Sequence, residues 1–178
     1  MTNKTETHSA LAVFLSGSEL SFEFDTKCDI SERVEYIYSI IFPGIGKAFF
    51  YLRFAIGRLA GWMDYSPLKV FLYRLMGVKI GKGVFISPDV YIDPHFPGLI
   101  ELEDYSIIGQ FAIISCHEYA GYHYRLGRVK IGRGAVIGHS AIIMPGSQVA
   151  PMTCIPMRTI LTKSTPQSKT YDFSDKYR

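Results

Sequence analysis

The spacing of hydrophobic and polar positions changes near Val78. Beyond it aliphatic residues recur every six positions: Ile80, Ile86 and Ile92; then Leu102, Ile108 and Ile114; then Ile131, Ile137, Ile143, Val149 and Ile155. The fifth position of each hexad holds a small residue or Val, except at Phe96 and Glu118, where the register is interrupted. A period of six matches neither the 3.6-residue turn of a helix nor the two-residue alternation of a half-buried strand. It predicts a solenoid in which short extended segments turn corners and stack, each aliphatic lying over its equivalent in the next coil. Gly81, Gly109, Gly132 and Gly138 directly follow aliphatics and are expected at the corners. With three sides per coil, eleven hexads make about 3.7 coils.

Before Val78 the apolar spacing is helical. Ser31-Glu32-Arg33 reads as a helix start and Pro43-Gly44 as a break, and further helices are predicted over about Ile45 to Trp62 and Pro67 to Met76. At 100° per residue, Ala48, Leu52, Ala55, Ile56 and Leu59 form one apolar arc of the middle helix. Lys47, Arg53 and Arg58 fall on the other side, together with Phe50 and Phe54. Two aromatics among three cations leave two readings open: a face covered by the N-terminal arm or a neighbouring subunit, or an interfacial helix lying on an anionic membrane. The predicted division is a mobile arm (1–30) with a short strand at Ser21 to Asp25, a helical segment (31–77), the repeat (78–166) and a polar tail (167–178).

Composition narrows the function classes. The chain has 178 residues, 48% hydrophobic and 20% charged, with a net charge of +3. That describes one globular domain with attachments, and the charge is too mild to indicate nucleic-acid binding. Cys28, Cys116 and Cys154 are widely spaced and suggest neither a disulfide framework nor a cysteine zinc site, so a reducing, cytoplasmic setting is expected. No signal peptide is expected, and charges interrupt the apolar stretch from Tyr36 to Gly61, so no membrane span is expected.

Chemistry is expected where the repeat is broken. The first break runs from Ile92 to Leu102 and contains Asp93-Pro94-His95-Phe96-Pro97-Gly98. The second runs from Ile114 to Ile131 and contains Cys116-His117-Glu118-Tyr119-Ala120-Gly121-Tyr122-His123-Tyr124-Arg125. A neutral imidazole suits removal of a proton near pH 7, which makes His117 the leading candidate for a general base. Cys116 sits at a hexad position shared with Lys82 and Gln110, and reads as structural.

The repeat from Val78 to Pro166 resembles the hexapeptide-repeat acyltransferases, and the junction from Pro67 to Gly81 resembles that of polysaccharide acetyltransferases. The resemblance implies a mainly β fold, a left-handed parallel β-helix preceded by an α-helical N-terminal segment. It also implies a homotrimer with sites between subunits, acetyl-CoA or another acyl-CoA as donor, and a sugar or cell-envelope polysaccharide hydroxyl as acceptor. His117, at Ile113-Ile114-Ser115-Cys116-His117, matches the family's general base, and backbone N–H groups would hold the thioester oxyanion. Donor binding is assigned to Gly138, His139, Met157, Thr162 and Lys163, with Lys163 offering charge to a phosphate. Asp93, Glu118 and Tyr124 are assigned to the acceptor, with Asp93 or Glu118 also able to orient His117. His139, Pro156 and Met157 put bulk where the donor's arm should pass. Two alternatives stay open: a γ-class carbonic anhydrase-like zinc enzyme using His117, His123 and His139 across subunits, and a non-catalytic scaffold. The expected location is the cytoplasm, with peripheral contact at the inner membrane surface through residues 45–62.

Overall fold

The computed structural model describes residues 4–25, 46–64, 66–121 and 123–165. The helix start at Ser31, the break at Pro43-Gly44 and the tail 167–178 lie outside the described residues. Among the described residues the repeat forms three parallel sheets of four strands, wound as successive coils. The first sheet stacks β2 (Lys79–Ile80), β5 (Ile100–Leu102), β10 (Val129–Ile131) and β13 (Gln148–Val149). The second stacks β3 (Phe85–Ile86), β6 (Ile107–Ile108), β11 (Val136–Ile137) and β14 (Cys154–Ile155). The third stacks β4 (Tyr91–Ile92), β7 (Ile113–Ile114), β12 (Ile142–Ile143) and β15 (Ile160–Leu161).

The register pairs the hexad aliphatics one over another. Ile80 stands beside Leu102, Leu102 beside Ile131 and Ile131 beside Val149; Ile86, Ile108, Ile137 and Ile155 form a second column. The third column, Ile92, Ile114 and Ile143, ends on Leu161, a twelfth step beyond the eleven read from the sequence. Ile108, Ile114, Ile131, Ile137 and Ile143 are fully buried, so the columns are the core. Gly109 and Gly138 are required by close approach of the next coil. A Cβ on Gly109 would stand 2.7 Å from the Ile137 carbonyl oxygen, and one on Gly138 would stand 2.5 Å from the Met157 nitrogen. Pro156 takes the equivalent place in the last described coil, where no further described coil lies against it.

Both breaks in the repeat leave the prism at the same corner, the one that follows the third sheet. The first contains a short 3₁₀ turn, Pro97–Leu99. The second is a hairpin, β8 (His117–Ala120) and β9 (His123–Gly127), against which β1 (Ser21–Asp25) adds an antiparallel third strand. The strand at 21–25 is thus present as expected. The rest of the described arm, expected to be mobile, forms α1 (Lys4–Ser16), which buries Leu11 and Phe14. Arg128 ties it down by donating to the carbonyls of Phe14, Gly17 and Glu19.

Two helices, α2 (Gly46–Trp62) and α3 (Ser66–Met76), pack on each other and on β2, β3 and β4, so they cover the first coil. The free edge of that coil exposes backbone acceptors that must be satisfied. Lys69 Nζ donates to the Ser87 carbonyl (2.7 Å), Tyr73 Oη to that of Val90 (2.9 Å), and Arg74 to those of Ile80 and Gly81. The expected phase of α2 is only partly kept. Its inner face carries buried Phe50 and Ala60 with Ile56 packed against the core, whereas Leu52 and Leu59 of the predicted apolar arc are exposed.

Candidate active site

The corner from which both breaks emerge brings Asp93, His95, Ser115, Cys116 and His117 together from two successive coils. Asp93 follows β4 and Ser115 follows β7, strands paired in register, so the positions just after them are neighbours. The Asp93 carboxylate is fully buried. Its Oδ1 accepts from His95 Nδ1 (2.9 Å) and from the His95 backbone N–H (3.0 Å), a local turn of the kind Asp favours. Its Oδ2 accepts from His117 Nδ1, from the Cys116 backbone N–H (3.1 Å) and from the Cys116 thiol (3.3 Å).

Burial alone would push the Asp93 pKa upward. The hydrogen bonds from His117 and His95, reinforced by their charge, outweigh that and hold it well below the usual carboxylate range. An ionised carboxylate only accepts, so each histidine donates its Nδ1–H and keeps its Nε2 lone pair when neutral. The His117 side chain is 22% exposed, while Asp93 behind it has no exposed side-chain surface. Further contacts fix the imidazole in place. The ring of His95 lies 4.1 Å from it, Tyr124 stacks on it at 5.9 Å and 24°, and the Ser115 hydroxyl donates to the His117 carbonyl (2.6 Å). Phe50 of α2 covers His95 at 4.8 Å, so the helical cap reaches the site.

Of the three acceptor candidates, Asp93 lies behind His117 with no exposed side-chain surface, paired with its Nδ1. Tyr124 is buried beneath the same ring, between it and Phe24. Glu118 is half-buried and faces Arg125 at 3.4 Å, while Arg125 also donates to the Pro145 carbonyl (2.7 Å). Cys116 is structural as expected. Burial, followed by the Asp93 charge and the hydrogen bond to it, raises its thiol pKa well above the ordinary value. A buried, protonated thiol is not a nucleophile.

The five donor candidates fall on two corners. Thr162 and Lys163 follow β15 at the corner of His117, both exposed. Gly138, His139 and Met157 stack at the corner after the second sheet, where His139 meets the Phe111 ring edge-on at 5.3 Å. The histidines of the zinc alternative do not converge within the chain. His117 faces Asp93, exposed His123 pairs with Asp25, and His139 lies at the other corner. Phe50, read as lying on the polar side of its helix, and Ser115 are site residues that pattern alone missed, and His95 was visible only as one of the residues of the first break. The Asp-Pro-His spacing in the first break was the available signal for His95.

No family model matches the chain. It is 31% identical over 115 residues to "Putative acetyltransferase YvoF" of Bacillus subtilis, a match covering 64% of this chain and 67% of that protein. The chain belongs to the hexapeptide-repeat acyltransferase family. It is also 35% identical over 79 residues to "Putative colanic acid biosynthesis acetyltransferase WcaF" of Escherichia coli, covering 44% of this chain and 37% of that protein. Among solved structures, a maltose O-acetyltransferase from Clostridium difficile superposes with a TM-score of 0.53 at 16% identity, over 67% of this chain and 79% of that one. A hexapeptide-repeat containing acetyltransferase from Vibrio cholerae gives 0.55 at 11%, over 67% and 82%. These likenesses establish the left-handed β-helix of the hexapeptide-repeat acyltransferases as the fold. Among the described residues no helix is long and apolar enough to cross a membrane.

Proposed function

We propose that this hexapeptide-repeat acyltransferase moves an acetyl group from acetyl-CoA to a hydroxyl of a sugar or cell-envelope polysaccharide, with His117 as general base. The observation that carries the reading is the pairing of His117 Nδ1 with the buried Asp93 carboxylate. It fixes the tautomer, leaves Nε2 as the accepting nitrogen, and stabilises the imidazolium formed on proton uptake. Nε2 takes the acceptor's proton as its oxygen attacks the thioester carbonyl. The new C–O bond forms, the C–S bond breaks, and the proton passes to the departing thiolate. Backbone N–H groups along the coil edge hold the oxyanion, and Lys163 meets a donor phosphate.

The functional unit is a homotrimer with its sites between subunits. The partly exposed His117 ring sits at an outer corner of the prism that a neighbouring subunit can roof. The split of the donor residues between two corners agrees with this, because one subunit's His117 corner and the next subunit's His139 corner then share a cleft.

His117→Ala should abolish acetyl-CoA-dependent transfer to a panel of saccharides, read as coenzyme A release, while calorimetric binding of acetyl-CoA persists. Unchanged turnover would remove His117 from the chemistry, and absence of acetyl-CoA binding by a folded wild-type trimer would favour the scaffold alternative. Asp93, His95 and His117 also place potential metal-ligand atoms within 4.8 Å of one another. In this geometry the two Nδ1–H groups and the carboxylate are engaged with each other. Exhaustive treatment with a chelator should leave transfer unchanged; stoichiometric zinc whose removal stops the reaction would contradict the general-base reading.

A further inference from the structure

The helical cap turns a mixed face inward, with Phe50 and Ala60 of α2 and Val70 and Met76 of α3 buried beside the polar Lys69 and Tyr73. Lys69, fully buried, and Tyr73 are spent on the backbone acceptors of the first coil, and α3 turns Leu68, Phe71 and Leu75 to the outside. On α2 the outward residues include Leu52, Leu59 and Trp62, the last 84% exposed. Because the inner faces of both helices rest on the first coil, their outer faces point away from the same end of the prism. Large side chains of this kind on two consecutive helices make an apolar surface that closing the coil does not require.

The charge around this surface indicates what it meets. Between residues 46 and 82 the chain carries Lys47, Arg53, Arg58, Lys69, Arg74, Lys79 and Lys82 against the single acid Asp64, although the net charge of the whole chain is only +3; of these, Lys69 and Arg74 are turned to the coil and add nothing to the rim. Arg58, Lys79 and Lys82 are exposed. A second copy of the chain seated face to face would bring two cationic rims together, which opposes association. An anionic lipid surface satisfies both features at once. Aliphatic and aromatic side chains enter the boundary between headgroups and acyl chains, Trp settles at headgroup level, and cations meet the phosphates. We propose that the outer face of α2 and α3 docks the enzyme on an anionic bilayer surface, lying on it without crossing it. The docking is independent of the acceptor, and Phe50 on the inner face of α2 places it beside the candidate site.

Flotation of the full-length protein with liposomes tests this. Phosphatidylcholine vesicles containing phosphatidylglycerol should carry the protein upward about tenfold better than pure phosphatidylcholine, and added salt should weaken the attachment. Phe71→Glu with Leu75→Glu should abolish flotation at unchanged melting temperature and oligomeric state. Arg58→Glu, which keeps the apolar face intact, should weaken it about tenfold and provides a second variant if the double one does not fold. Failure of the wild-type protein to float, or undiminished flotation of a folded variant, would overturn the proposal. So would a change of oligomeric state in the double variant, which would make the face a subunit contact.

Discussion

Asp93 is a carboxylate without exposed surface, and such a group is tolerated only when its charge is answered on every side. Two imidazole N–H groups, two backbone N–H groups and a thiol do so here. Asp93→Asn keeps the shape but reverses the hydrogen-bond demand on His117, favouring the tautomer that cannot accept at Nε2. A loss of about 10²- to 10⁴-fold in kcat with little change in KM is expected, measured by steady-state kinetics. The same residue sets an acid limit on the fold. Its folded pKa lies below the ordinary value of 3.8, so ionised Asp93 stabilises the protein fully above that value, and the contribution is lost progressively as pH falls below it toward the lower folded value. Denaturant midpoints of wild type and Asp93→Asn should therefore converge as the buffer is taken from pH 5 down to pH 2. Cys116 offers a separate check: it should resist alkylation by iodoacetamide in the native protein and react only once the protein is unfolded, because its thiol is buried and its pKa raised.

Among the elements, the coils were legible because their determinants are local and repeated. A six-residue aliphatic step specifies the column that each residue joins, and the structure stacks Ile86, Ile108, Ile137 and Ile155 accordingly. Ile137→Ala should cost about 2–5 kcal/mol in denaturant unfolding, since the residue is fully buried between neighbouring coils. His117 was legible for a related reason, since it leaves the repeat at a break. The face of the helices was not. Amphipathic reading assumes that apolar residues alone turn inward, whereas α3 closes a sheet edge with polar groups, so Lys69 is buried, and α2 turns Phe50 inward while Leu59 stays exposed. Nor could spacing show that Asp93 sits behind His117, because that depends on the register between coils separated by the first insertion. Lys69→Met tests the edge-closing role. It preserves much of the side-chain volume but leaves the Ser87 carbonyl without its donor, which should cost about 1–3 kcal/mol, read by the same unfolding measurement.

At the scale of the whole molecule, the prism presents two chemically distinct corners, and assembly decides whether they cooperate. Within one chain His117 and Lys163 share the corner after the third sheet, whereas His139 and Met157 lie after the second. In a cyclic trimer every interface is the same heterologous pair, so one corner of each subunit faces the other corner of the next. If the reaction occupies that cleft, each active site takes its base from one chain and part of its donor contact from another. Subunit mixing separates this arrangement from a site contained in one chain. On the proposed reading His117→Ala removes the base and His139→Glu sets a carboxylate against the donor's approach, so each variant alone should be inactive. Unfolding the two together at equal amounts and refolding them should restore about one quarter of wild-type activity, the fraction of clefts that randomly receive both intact corners. No recovery, with mixed trimers verified by mass spectrometry, would place both residues in the same cleft of one chain. Full activity of the His139→Glu homotrimer would remove the second corner from donor binding.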